Sequence, residues 1–352
     1  MTDTAPDPSV LVDRRGRAGF LTLNRPRAIN ALNLEMVRML TVALSAWRVD
    51  PRIQTVVITG AGERGLCAGG DIVSIYQDAI GGGDSSELFW REEYTLNALI
   101  ARYPKPIVVI QDGIVLGGGI GISAHASHRI VTETSKLGMP ETGIGFVPDV
   151  GGTWLLARSP GEAGTHLALT AGSVGPADAI LLGLSDSFIT SADIPSLLTA
   201  LETDKVTDAV ARFASTPPAG VLAGYDWLDD VYRGADLSEI VNRLEASASP
   251  AARAAFEAIS TKSPTALAVT LASLRRAADA ESLEDVLRQE FRVSLRCLKE
   301  PDLAEGIRAQ VIDKDRNPAW VPAAIGDVEP AHVAAFFAPL DHELELDGTA
   351  AA

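Results

Sequence analysis

The chain is short of cysteine, aromatic residues and positive charge, and each shortage removes a class of function. Its two cysteines, Cys67 and Cys297, lie far apart, so they form no disulfide framework. CxxC, HExxH and His/Cys clusters at metal spacing are absent from the sequence, which removes the common zinc and thiol-redox signatures. Acidic residues outnumber basic ones 46 to 30, a formal net charge of -16. A phosphate backbone needs a basic face, so neither nucleic acid nor an anionic membrane is expected as a partner. A few arginines and helix N-termini can still hold a small anionic ligand. The opening MTDTAPDPSV lacks the basic flank and apolar core of a secretory leader. The longest apolar region, PIVVIQDGIVLGGGIGISAHA, is interrupted by Gln111 and Asp112 and crowded with glycine. It reads as strand, turn and buried helix, not as a membrane span. A soluble protein of a reducing compartment is expected, and the cytoplasm is the expected location.

Apolar residues make up 47% of 352, enough for a substantial core in one large domain or two ordinary ones. AGFLTLNRP, IQTVVITG, KPIVVIQDG and RIVTE read as buried strands. NLEMVRMLTVALSAWRVDP has helical spacing, with Asn33 as its cap and Pro51 as its stop. DIVSIYQDA, SSELFWREEYTLNALIARYP and GGGIGISAHASH read as further helices, the last opened by glycines. Beyond about residue 195 the segments are all helical and are broken by Pro, Gly and Ser pairs. The expected fold class is α/β, with a core over 10–195 and a helical region over 196–345 packing on it. Residues 1–9 and the closing ELDGTAAA read as loose tails.

Three glycine-rich clusters carry the chemistry. In TVVITGAGERGLCAGGDI, Gly60, Gly62 and Gly65 match GxGxxG directly after a strand. A dinucleotide site would need the last glycine to open a helix, and LCAGGD intervenes, so that reading fails. Walker A fails because no GK[ST] follows. Cys67, beside a buried strand, reads as a small core residue before it reads as a nucleophile. The second cluster, GIVLGGGIGI, also follows a strand. Two such strand-to-loop transitions can present two convergent N–H groups, as an oxyanion hole requires, or can simply let a helix pack tightly. In the third, MPETGIGFVPDVGGTW, Glu141 and Asp149 stand on a loop between apolar segments. Burial there would raise their pKa values and suit them to acid or base work.

Taken together with LTLNRPRAINAL, FWREEY and the later LAEGIRAQVIDKDRNPAW, these clusters resemble the enoyl-CoA hydratase/isomerase (crotonase) superfamily. Within it the match is to the 3-hydroxyisobutyryl-CoA hydrolase family. The resemblance covers roughly residues 10–325 and implies a crotonase-like spiral of β-β-α units with a helical C-terminal part. It implies hydrolysis of a short 3-hydroxyacyl-CoA thioester, with CoA entering as part of the substrate and no separate cofactor or metal. By the same resemblance the Gly70 and Gly118 amides form the oxyanion hole and the Ala68 carbonyl helps recognise adenine. Arg25 or Arg27 neighbours the CoA phosphates. Glu93, Gly118, Glu141 and Asp149 contact substrate, with Glu141 and Asp149 catalytic. A homo-oligomer is implied too. Hydratases of the superfamily use a second glutamate three residues beyond the oxyanion glycine, where this chain has Gly121. Dienoyl-CoA isomerases share a Glu and Asp eight residues apart, and that alternative stays open, as does a non-catalytic acyl-CoA-binding protein.

Overall fold

The computed structural model describes residues 7–346, and the ends of both expected tails, 1–6 and 347–352, lie outside them. Next to those ends the chain is anchored. The Ser9 hydroxyl donates to Glu35 at 3.0 Å, and Leu346 is buried.

The strands are β1 (Val10–Arg15), β2 (Ala18–Leu23), β3 (Thr55–Gly60), β4 (Ile107–Gln111) and β5 (Ile114–Leu116). They continue with β6 (His128–Val131), β7 (Lys136–Gly138), β8 (Ser173–Val174) and β9 (Ser187–Phe188). One six-stranded sheet runs β1-β2-β3-β4-β6-β9, and a second, three-stranded sheet runs β5-β7-β8. Only β1 is antiparallel in the larger sheet. Successive strands alternate between sheets, β4 then β5, β6 then β7, so the chain winds as a spiral. This is the α/β spiral that the resemblance implies.

Period-two alternation explains why TVVI and IVVI read as continuous apolar runs. Leu21, Val56, Ile58, Ile107 and Val109 face the main core. Their neighbours Phe20, Val57, Val108 and Ile110 face a second core closed by Leu197, Leu201, Val206 and Ala209. Both faces of the sheet are therefore buried, the usual state of a parallel sheet. β1, β5, β7, β8 and β9 were not foreseen. β1 is an edge strand with five exposed positions, and the others are two or three residues long, too short to show a period.

The helices follow their caps. α1 (Leu34–Val49) starts where the Asn33 side chain accepts the Met36 amide at 2.9 Å. α2 (Ile72–Gly81) and α3 (Ser85–Ala101) follow, and Gly118–Ser123 forms α4. On α3, Trp90, Glu93, Tyr94 and Asn97 recur at three- and four-residue spacing, so all four point inward. In the helical region, Ser249 and Ser263 cap helices that begin with Pro250 and Pro264. The Ser-Pro pairs that break the pattern are thus start signals, with proline at the position that needs no N–H donor.

The DKDRNP segment is folded around one guanidinium. Arg308 bonds Glu305 at 2.8 Å, Asp313 at 2.7 Å and Asp315 at 2.6 Å. Trp320 Nε1 then donates to the Thr261 carbonyl at 3.0 Å. This knot follows the helix Pro301–Ile307, which packs on α2 and on the turn Glu141–Ile144. No helix among the described residues is long and apolar enough to cross a membrane.

The helical region and α3 share an aromatic joint. Phe291 is fully buried, edge-on to Tyr94 at 6.2 Å, with the Arg91 guanidinium 4.6 Å from its ring centre. Phe291→Ala is expected to cost about 3–5 kcal/mol, lowering the urea midpoint at unchanged m-value.

Candidate active site

The loop after β3 is laced to β5 by backbone. Leu66 N–H donates to Asp112 O at 2.9 Å, Cys67 N–H to Ile114 O at 3.1 Å, and Leu116 N–H to Cys67 O at 3.0 Å. From the other side Leu32 donates to Gly69 O and receives from Asp71 N, both at 2.8 Å. The pairing sets Gly69–Gly70 beside Gly117–Gly118. Gly69 (φ 110°) and Gly117 (φ 49°) hold the left-handed conformations that bring the two backbones together. Among the described residues, neither the Gly70 nor the Gly118 amide has an acceptor. Gly118 opens α4, so its N–H is one of the helix's unpaired donors.

Cys67 serves this lacing through its backbone. Its thiol is wholly buried against Gly69, at 3.4 Å from that amide, and burial pushes its pKa up to about 12. The thiolate a nucleophile needs does not form at neutral pH.

Three carboxylates face the paired glycines, each almost fully buried. Glu93 comes from α3, Glu141 from the 3₁₀ turn after β7, and Asp149 from the loop beyond it. A methyl group added at Gly118 would stand 2.7 Å from Glu93 Oε1, and one at Gly117 the same distance from Glu141 Oε1. Glycine is needed at both places so that the acids can reach the backbone. Tyr94 donates to Asp149 Oδ2 at 2.7 Å and is itself hydrogen-bonded to Ser294 at 2.8 Å. Glu93 Oε1 and Glu141 Oε2 are buried without any partner.

Burial drives the electrostatics. It raises Glu141 and Glu93 well above the usual carboxylate range, and the Asp149 charge adds to both. Asp149 is pushed up to about 7 by burial, against the pull of the Tyr94 hydrogen bond. Burial and the neighbouring Asp149 charge both disfavour the anions, so the protonated forms of Glu93 and Glu141 are favoured relative to exposed carboxylates. Among the described residues no cluster of His, Cys, Asp and Glu is arranged to hold a metal ion.

Ala68, Gly70, Glu93, Gly118, Glu141 and Asp149 line one cavity of about 130 Å³. Its apolar wall includes Trp90 stacked on Phe146 at 5.5 Å, with Leu303 and Ile307 from the helix Pro301–Ile307. A second cavity of about 320 Å³, bordered by Asn33, Glu35 and Asp71, meets the first at Ile75 and Phe89. Arg25 and Arg27 line neither. The Arg25 guanidinium donates to Ala31 O at 2.6 Å and pairs with Asp71 at 2.9 Å, latching the NRPRAINAL loop to the segment after Gly70. Arg27 is exposed on the turn Pro26–Ala28. Sequence reasoning missed Tyr94, Ser294, Trp90, Phe146 and Ile307. Trp90 and Tyr94 shared one usable signal, Trp90 standing three residues before Glu93 and four before Tyr94 on α3.

The model of the enoyl-CoA hydratase/isomerase family matches residues 18–337. The chain belongs to that family. Curated relatives include the mitochondrial 3-hydroxyisobutyryl-CoA hydrolases of Xenopus tropicalis and Gallus gallus, each 37% identical. The match covers 96% of this chain and 90% of the frog protein, 98% and 92% for the chicken protein. Among solved structures, one named a carnitinyl-CoA dehydratase, from Mycobacterium thermoresistibile, superposes with a TM-score of 0.94 at 51% identity, covering 97% of this chain and 99% of that one. An enoyl-CoA hydratase from Rhodobacter sphaeroides gives 0.89 at 44% identity, covering 94% and 98%. The fold is the crotonase fold that the sequence resemblance implies. The expected cytoplasmic location does not stand, because the curated relatives are named as mitochondrial enzymes. Cysteine usage reports a reducing environment and does not distinguish one reducing compartment from another.

The raised acid has a cost that can be read in stability. The unfolded chain ionises Asp149 from about pH 4 upward, whereas the folded chain holds its proton up to about pH 7. The penalty is absent below that window and complete above it. Asp149→Asn is therefore expected to melt a few degrees above the parent at pH 8, and the gain to vanish as the pH falls to about 4; calorimetric melts across pH check it.

Proposed function

We propose that the chain hydrolyses the thioester of 3-hydroxyisobutyryl-CoA, or of a close short 3-hydroxyacyl-CoA, to the free hydroxy acid and CoA. The observation that carries this is the pair of acceptor-free glycine amides facing buried carboxylates in one small cavity. The acyl end enters the inner cavity and the CoA arm lies toward the outer one. Attack on the carbonyl carbon moves the C=O electron pair onto oxygen, which the Gly70 and Gly118 amides receive. One such donor is worth about 3 kcal/mol in acyl transfer. Glu141 either attacks directly, forming an anhydride that water then opens, or takes the proton of an attacking water. Both routes load the same oxygen, and both end with the C–S bond broken and a proton delivered to the CoA sulfur. Asp149, with a pKa near neutrality, shares that proton with Glu141. Glu93, whose Oε1 lacks a protein partner, receives the 3-hydroxyl. No cofactor is called for. The Ala68 carbonyl, which the resemblance assigns to adenine recognition, belongs to a residue that lines the inner cavity.

A second reading is supported by the names of the solved relatives, which are a dehydratase and a hydratase. Against it stands position 121. A side chain at Gly121 would meet Val150 at 2.6 Å and Asn97 at 2.9 Å, so the space for a second glutamate is filled. The test is a panel of short acyl-, enoyl- and dienoyl-CoA thioesters, following free thiol and enoyl absorbance together. Thiol release from 3-hydroxyacyl thioesters, lost by a factor of about 100 or more in Glu141→Gln, is the expected outcome. Absorbance change without thiol release would establish the second reading, and CoA binding without either would leave an acyl-CoA-binding protein.

The homo-oligomer implied by the resemblance belongs to the same proposal. Light scattering is expected to give a multiple of the 37.0 kDa chain mass, and a monomer would refute it.

A further inference from the structure

Beyond Asp149 the backbone takes a conformation that its residues resist. Val150 has φ 53° and Gly151 φ 78°. A β-branched residue in the left-handed region is a true outlier, and it persists only where the surroundings hold it. Here the surroundings can be named. Gly151 N–H donates to Glu290 Oε2 at 2.6 Å. The Thr153 amide and hydroxyl both donate to Glu290 Oε1, at 3.0 and 2.6 Å. His125, which burial holds neutral with a pKa near 4, donates from Nε2 to the Val150 carbonyl at 2.8 Å. Glu290 is buried on the helix Leu283–Cys297 and lines neither cavity. Three donors converge on its carboxylate, an arrangement that favours the anion, while burial raises its pKa to about 8.

We infer that Glu290 is a positioning residue, whose carboxylate clamps the strained Val150–Gly151 turn and thereby aims Asp149 at the cavity. The inference rests on the role given above to Asp149. Glutamine at 290 keeps the size and can still accept from Thr153, but its amide cannot accept from Gly151 while doing so. With that bond gone, Val150 is free to leave the left-handed region and Asp149 to swing with it. The same helix supplies Ser294 to the Tyr94 hydroxyl that holds the Asp149 side chain, so one element governs both the backbone and the carboxylate of this residue.

The test is a double-mutant cycle on thioester hydrolysis with hydrogen exchange beside it. Glu290→Gln is expected to lower kcat by roughly 10- to 100-fold at unchanged KM and CoA affinity, the cost of a misaimed group. In the Asp149→Asn background the same substitution is expected to have no further effect. Losses that multiply, or an unaltered kcat, overturn the inference. Amide exchange at Gly151 and Thr153 needs no turnover and is expected to rise at least about tenfold in Glu290→Gln; protection equal to the parent's also overturns it. Should Glu290→Gln fail to fold, Thr153→Val removes one of the three donors and runs the same cycle, with the same two outcomes. If Asp149→Asn itself is fully active, the role given to Asp149 fails, and the exchange measurement still decides whether Glu290 holds the turn.

Discussion

Four backbone hydrogen bonds between the loop after β3 and the segment around β5, that from Ile114 N–H to Arg64 O at 3.1 Å among them, are the constraint on which the site depends. They pull two strand-to-loop transitions into register and use up the carbonyls and amides that face each other. The amides of Gly70 and Gly118 are what the pairing leaves over. An unpaired N–H beside a buried pocket is normally a defect, since a buried donor without an acceptor is costly. Two of them side by side, with acids opposite, are the donors that the proposed reaction assigns to the thioester oxygen.

The carboxylates face the opposite difficulty. Glu93, Glu141, Asp149 and Glu290 are all removed from water within one neighbourhood. Each would be cheaper to keep protonated, and each makes ionisation of its neighbours harder. The structure treats them unequally. Glu290 has three donors and Asp149 has Tyr94, while one oxygen each of Glu93 and Glu141 has none. The acids with partners are held in place, and those without are available to a ligand. This is the pattern of a site that gives up stability for reactivity.

Much of the fold was legible because it rests on local chemistry. The Asn33 cap, the TVVI and IVVI strands and the glycines opening α4 all carry their reasons within a few residues. The acids Glu141 and Asp149 stood out because carboxylates between apolar segments are unusual. What could not be read was anything that two distant segments decide together. Tyr94 and Ser294 are 200 residues apart, and Glu290 reaches back 139 residues to Gly151. No period or motif in either segment announces the other. The short strands β5 and β7 were hidden for a different reason, since three residues cannot display alternation. GAGERG, which matches a dinucleotide fingerprint in letters alone, was set aside on its sequence context. Its glycines lie at the end of β3 and in the turn after it, and the amide proposed to receive the thioester oxygen lies beyond them at Gly70.

The helix Pro301–Ile307 closes one wall of the cavity, and it follows all the other lining residues in chain order. A chain growing on the ribosome therefore produces the glycine loops and Glu141 long before it produces Leu303, Ile307 or the helix that carries Glu290. Without the helix Pro301–Ile307 the cavity would lack Leu303 and Ile307 from its apolar wall. The apolar wall of the cavity is thus completed by residues that lie far along the chain from the glycine loops and Glu141.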